Sequence, residues 1–203
     1  MKKQTMILTV IAVAAVSFCL AGCGTTVKRV SVGEKVDLSG LWNDTDSQLV
    51  SQETISDCLK GAWLDTFYKA KGRDPVVIVA SVTNRSYEHI NSQVFTKHLE
   101  RELLNSGKVK FVASSDERQQ MRSERKDQDQ GFTDPATMAA KAKETGADYM
   151  LIGSINAVKD EVKGQYAILY QVNLELIDLS TNQKAWIGQK EIKKIVKNPP
   201  YSL

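Results

Sequence analysis

Val76-Val77-Ile78-Val79-Ala80-Ser81-Val82 is the stretch that most narrows the folds open to this chain. β-Branched side chains lose χ1 freedom in a helix and pack well on a pleated surface, so an unbroken run of them predicts a strand. The run shows no polar alternation before Ser81, which predicts cover on both faces, as in a parallel sheet. Asp74-Pro75 introduces it, and Thr83-Asn84-Arg85-Ser86 leaves it as a polar loop. A helical period lies on either side. Residues 47–70 place Ile55, Cys58, Leu59, Ala62, Trp63 and Phe67 at three- and four-residue intervals before Gly72, with Thr45 or Asp46 as cap. Residues 92–105 turn Phe95, Leu99 and Leu103 inward before Gly107, and 108–112 reads as a short strand. Strand, helix and strand in that order predict a parallel pair with a right-handed crossover.

The second half of the domain adds helices and then strands. Ser114, with Glu117 three residues on, makes a capping box for a polar helix whose one large apolar residue is Met121, so that helix belongs on the surface. Thr133 or Asp134 caps a further helix with Pro135 at its first position, Met138, Ala139 and Ala142 facing inward, and Gly146 at its end. Residues 147–156 read as a buried strand. Over 166–179, Tyr170, Val172, Leu174 and Leu176 alternate with Gln171, Asn173 and Glu175. Ser180-Thr181-Asn182-Gln183 then turns the chain into a last strand over 184–192, closing a hairpin. The expected class is α/β in the broad sense (α+β): a mixed sheet of four to five strands flanked by helices.

The N-terminus reads as an address and not as part of that fold. Lys2 and Lys3 precede an apolar run from Met6 to Leu20, which meets Leu20-Ala21-Gly22-Cys23. The run is too short and too asymmetrically flanked for an ordinary membrane span. It has the parts of a secretory signal, and its end resembles the bacterial lipobox, in which the cysteine after the small residues is acylated. A plain signal peptide with a chance cysteine is the alternative. On the lipobox reading, 1–22 is a signal peptide, Cys23 carries the lipid, 23–39 is a short tether and 40–203 is a single globular domain. Gly24, in place of Asp, favours the outer membrane under the sorting rule of enteric lipoproteins. From Gly24 to Ser39 the tether extends at most about 50 to 58 Å. Of 27 basic side chains, Lys2 and Lys3 leave with the signal, so the mature chain is almost neutral against 24 acidic ones.

That balance argues against nucleic acid, which requires a concentrated basic face. Three cysteines cannot build a disulfide framework. Cys58, on the apolar face of its helix, is expected to be a buried and inert thiol. His89 and His98 fit no zinc spacing, and no phosphate-binding glycine loop or nucleophile elbow is present. No catalytic residue, metal or cofactor is therefore expected. Binding candidates are Asn84, Arg85 and Ser86, which leave a strand at its carboxyl end, where α/β sheets expose functional loops. Arg85 suits a bidentate grip on a carboxylate; the alternative is an Asn that holds a turn beside a solvated Arg. Arg118, Arg122 and Arg125 form a basic stripe that Glu117, Glu124 and Asp127 interrupt, which also suits a solvated face. Tyr149 is a further candidate, at the start of a strand whose facing the sequence leaves open. Trp42, Trp63 and Trp186 are expected to pack.

Five segments resemble the LpoB lipoproteins. They are the Leu20-Ala21-Gly22-Cys23 lipobox, the strand and loop from Val76 to Ser86, and Leu104-Asn105-Ser106-Gly107-Lys108-Val109-Lys110-Phe111-Val112. Gly146-Ala147-Asp148-Tyr149-Met150-Leu151 and Thr181-Asn182-Gln183-Lys184-Ala185-Trp186-Ile187-Gly188 complete the set. The resemblance runs over roughly 40–195 and implies a fold like that of the TolB N-terminal domain. It also implies a role: an outer-membrane lipoprotein, facing the periplasm, that binds and activates a bifunctional class A penicillin-binding protein without acting on a small molecule. The tether departs from that family, whose members carry a long Pro-rich linker, because here no Pro precedes Pro75. A similar architecture in the secretion lipoprotein CsgG gives the alternative, an accessory or structural subunit of an envelope secretion complex.

Overall fold

The computed structural model describes residues 27–31, 33–113, 115–127 and 146–197. The chain divides into two units, Met1–Glu34 and Lys35–Leu203. The described residues of the first are exposed, with a turn closed by the Glu34 amide on the Ser31 carbonyl. Cys23 and the expected helix after Thr133 lie outside the described residues, as does Ser114.

In the second unit, residues 47–70 do not make one helix but two, α1 (Asp44–Cys58) and α2 (Ala62–Lys71). The break follows from two residues. Gly61 takes an extended conformation before α2, and the Trp63 indole N–H donates to the Cys58 carbonyl at 2.7 Å, capping the end of α1. A Cβ on Gly61 would lie 2.7 Å from Trp63 Cδ1, so the turn is built around a missing side chain. The start of α1 also differs from expectation. Asn43 is the cap, accepting from the Asp46 amide at 3.1 Å, while Asp46 Oδ2 accepts from the Asn43 amide at 2.9 Å, a reciprocal box whose cap lies two residues before Thr45.

Strand β1 (Val76–Asn84) is followed by α3 (Ser92–Asn105), β2 (Lys110–Phe111) and α4 (Ser115–Asp127). Three long strands close the fold: β3 (Tyr149–Val162), β4 (Gln165–Asp178) and β5 (Lys184–Lys197). The sheet order is β2-β1-β3-β4-β5. β1 pairs in parallel with β2 and β3, whereas β3-β4 and β4-β5 are antiparallel. The expected mixed sheet is therefore present, with five strands. β3 and β5 each continue well past their expected ends at 156 and 192.

α1, α2 and α3 cover one face of the sheet. Ile55, Trp63, Phe95 and Leu99 from the helices meet Val77, Leu151, Val172 and Leu174 from the strands in one core cluster. Phe95, Leu99 and Leu103 are buried as their spacing predicts, and Met121 on α4 is exposed. Cover on both faces of β1 is incomplete. Val77, Val79 and Val82 are core, but Ile78 and Ala80 are half-buried on the opposite face, and Ser81 is exposed. A register shift between Val79 and Val82 produces that spacing. α4 borders the opposite face, where Arg118 and Arg122 line a groove with Ile78, Ala80 and Met150.

The folded unit begins ahead of Gly40. Tyr166 OH donates to the Ser39 carbonyl at 2.9 Å. Lys194, with only 10% of its side chain exposed, reaches Asp46 Oδ2 at 2.6 Å, Asp37 Oδ2 at 3.0 Å and the Leu41 carbonyl at 3.0 Å. The last residues expected in the tether are thus fixed to the last two strands, Ser39 to β4 and Asp37 to β5.

Candidate partner-binding surface

The loop after β1 is held from inside by its own side chains. Asn84 Oδ1 accepts from the Ser86 amide at 2.9 Å and the Ser86 hydroxyl at 2.7 Å, and Asn84 Nδ2 donates to the Glu88 carbonyl at 2.7 Å. This is the turn-forming use of Asn. Asn84 and Ser86 are half-buried structural residues, and the Arg85 amide bonds the Ile155 carbonyl at 2.8 Å. Between those fixed neighbours the Arg85 side chain is exposed and makes no hydrogen bond or ion pair among the described residues. The loop is a rigid frame that presents one guanidinium.

Glu88, which its sequence neighbourhood does not mark, fixes the same loop to the rest of the fold. Its Oε1 accepts from Tyr170 OH at 2.5 Å and its Oε2 from the Trp42 amide at 3.1 Å. Burial, and then the bond to Glu88, push the Tyr170 hydroxyl far above its ordinary range, so it stays a donor. Trp42 packs edge-on against Phe95 and Tyr170, with ring centroids 6.1 and 5.5 Å away. Both partners of Glu88 are distant in sequence, so no local pattern announces it.

The remaining candidates separate. Arg118 is half-buried and donates to the Ala113 carbonyl at 2.9 Å, which orients it along the α4 groove; Arg122 lines the same groove. Neither belongs to the loop at Asn84. Tyr149 is not a surface residue. It is 6% exposed, with its ring 5.0 Å from Trp63 and 5.6 Å from Phe67, because the β3 register turns odd-numbered residues toward the helices. Its neighbour Asp148 carries the polar contact instead, gripped by the two terminal Arg73 guanidinium nitrogens at 2.7 and 2.8 Å and by the Val76 amide at 2.8 Å. Burial raises the Asp148 carboxyl, but the Arg73 and Val76 hydrogen bonds hold it below the usual carboxylate range.

Among the described residues no three His, Cys, Asp or Glu side chains converge as metal ligands. His89 is exposed, and His98 Nδ1 is buried with no hydrogen-bond partner among the described residues. Cys58 is fully buried, and burial, with the nearby Asp57 charge, pushes its thiol up to about 12. Trp42 and Trp186 are half-buried and Trp63 is buried, as packing residues are.

Helices on one face of a mixed five-stranded sheet, with an exposed arginine framed at a strand end, define an α+β domain. The model of the peptidoglycan-synthase activator LpoB matches residues 46–192, and the chain belongs to that family. The LpoB C-terminal domain from Salmonella enterica is 22% identical, over 72% of this chain and 98% of that one, with a TM-score of 0.41. The NMR structure of Escherichia coli LpoB is 19% identical over 88% and 84% of the two chains, with a TM-score of 0.36. Lipoprotein GNA1162 from Neisseria meningitidis is 13% identical over 60% and 83%, with a TM-score of 0.39. Among curated proteins there is no match.

Proposed function

We propose that this chain is an envelope lipoprotein that binds and activates a class A penicillin-binding protein and catalyses nothing itself. Cys23 carries the acyl anchor, the outer membrane holds it, and the folded domain faces the periplasm. The observation that carries the reading is membership of the peptidoglycan-synthase activator family over residues 46–192. No helix among the described residues is long and apolar enough to cross a membrane, which is compatible with attachment through a lipid.

On this reading Arg85 is the partner contact, since the loop spends its other polar groups on itself. Arg118 and Arg122 offer a second, more recessed contact beside α4. The test is to mix the purified chain with a class A synthase of the same organism and follow glycan polymerisation. Faster polymerisation is expected, and an unchanged rate with no complex would reject the reading. Arg85→Ala is expected to weaken the complex by roughly tenfold, the size of one charge-assisted hydrogen bond, with an unchanged melting temperature. Unaltered affinity would take this loop out of the interface.

A further inference from the structure

Residues 35–43 form neither helix nor strand, and side chains hold them against the fold. The Ser39 and Leu41 carbonyls accept from Tyr166 OH and Lys194 Nζ, and the Asp37 carboxylate pairs with the same lysine. The stretch is a strap laid across the start of β4 and the end of β5. Its last contact is with the loop that presents Arg85. The Trp42 amide donates to Glu88 Oε2, and the Trp42 ring packs edge-on against Tyr170, whose hydroxyl donates to Glu88 Oε1. Glu88 is thus held by strap and sheet together, and it closes the loop in turn. Its carbonyl accepts from Asn84 Nδ2, and its amide donates at 3.2 Å to the Ser86 hydroxyl, which itself donates to Asn84 Oδ1.

We propose that this strap sets the conformation of the partner loop: seated, it fixes Arg85 for contact, and lifted, it loosens the frame and lowers the affinity for the partner. The proposal rests on the reading of Arg85 as the partner contact. Trp42 and Glu88 are then positioning residues, which act through Arg85. Two features let the strap lift on its own. Its middle, residues 37–39, is exposed, and it joins no strand ladder, as expected of a segment that opens ahead of the core. Its seat also depends on Gly40, which has a φ of 72° and lies so close to β5 that a Cβ would run into the Val196 side chain. Lifting takes one of two donors from the half-buried Glu88 carboxylate, because that donor is the backbone of Trp42. Linkage makes the effect mutual: a partner that needs the framed loop also holds the strap down.

Gly40→Ala unseats the strap and alters no residue of the loop or its frame. Amide hydrogen exchange on the purified chain reads both parts, the strap at Trp42 and the loop at Ser86 and Glu88. Severalfold faster exchange at all three is expected, with the amide of Leu151 in the middle of the sheet as slow as in wild type. Faster exchange at Trp42 beside wild-type rates at Ser86 and Glu88 overturns the coupling. Wild-type rates at Trp42 in Gly40→Ala, and again in Tyr166→Phe, reveal a strap that does not lift and overturn it too. The complex with the synthase supplies a second readout. Gly40→Ala is expected to weaken it severalfold, and to weaken it no further where Arg85→Ala is already present. Equal losses in both backgrounds would put the strap itself in the interface and overturn its action through Arg85. An Arg85→Ala complex as tight as wild type rejects the reading of Arg85, and the effect on the partner with it, whereas the exchange rates judge the coupling by themselves.

Discussion

At the scale of single residues, the fold is tied together by carboxylates whose partners are far away in sequence. Glu88 joins its loop to Trp42 and to Tyr170. Tyr170→Phe keeps the ring packing but leaves a half-buried carboxylate one donor short, and is expected to cost about 1 to 3 kcal/mol in urea unfolding. Asp148 allows a test with pH. Its folded pKa is depressed, so its stabilisation is present above the unfolded value near pH 4 and is lost as pH falls through the folded one. Wild type is therefore expected to exceed Asp148→Asn in stability at neutral pH, with the gap closing in acid. Cys58 is expected to resist a thiol reagent at pH 8 until the protein is unfolded, because its thiolate is scarce and covered. Cys58 was legible in the sequence, since its helical spacing placed it on the apolar face. Glu88 and the Arg73–Asp148 pair were not, because a loop carboxylate looks the same in sequence whether it meets water or a partner 75 residues off.

At the scale of elements, sequence period located helices and strands well but misjudged where some of them stop. Phe95, Leu99 and Leu103 fixed α3 because nothing interrupts their period. The α1–α2 break was hidden, since Leu59 and Ala62 continue the helical spacing through a turn that Gly61 and the Trp63 bond actually make. Gly61→Ala is expected to cost about 1 to 3 kcal/mol, since the new Cβ displaces Trp63 from its contact with Cys58. Raised reactivity of Cys58 would accompany the loss. The expected ends of β3 and β5 fall short of the observed ones because Lys159-Asp160-Glu161 and Lys193-Lys194 look in sequence like solvated connections. In the fold each of these charges lies on a strand, and Lys194 is buried against acids from α1 and from the segment before it. Lys194→Met leaves Asp46, with 7% of its side chain exposed, without its cation, and is expected to cost about 3 to 5 kcal/mol. A denaturation midpoint no lower than that of wild type would contradict this account.

At the scale of the whole molecule, the sheet order follows from rules that a sequence can state: a parallel crossover early and antiparallel turns late. What the sequence did not disclose is how the ends of the unit meet, because the contact between Asp37 and Lys194 depends on the length of β5. The candidate surface was only partly legible for a related reason. A polar loop after a buried strand announces itself, but only the folded partners show that Asn84 and Ser86 turn inward and Arg85 outward. If activation of the synthase resides in the folded unit, a Cys23→Ser chain without its lipid is expected to stimulate the purified enzyme in detergent as well as the acylated chain does. A requirement for the acyl group in that assay would move part of the activity into the anchor.

The grip of Lys194 on the residues leading into α1 also has a mechanical meaning. If Cys23 carries a lipid anchor, a pull on the chain arrives first at Asp37 and Leu41, and from there passes sideways into the closing strand and, through Ser39 and Tyr166, into the one beside it. The load is shared across neighbouring backbones before it reaches the first helix. If the anchor holds the chain to the outer membrane, a cell wall moving relative to that layer would strain this corner first, and Glu88, bonded to Trp42 and to Tyr170 on the same neighbouring strand, would pass part of the strain to the loop that carries Arg85.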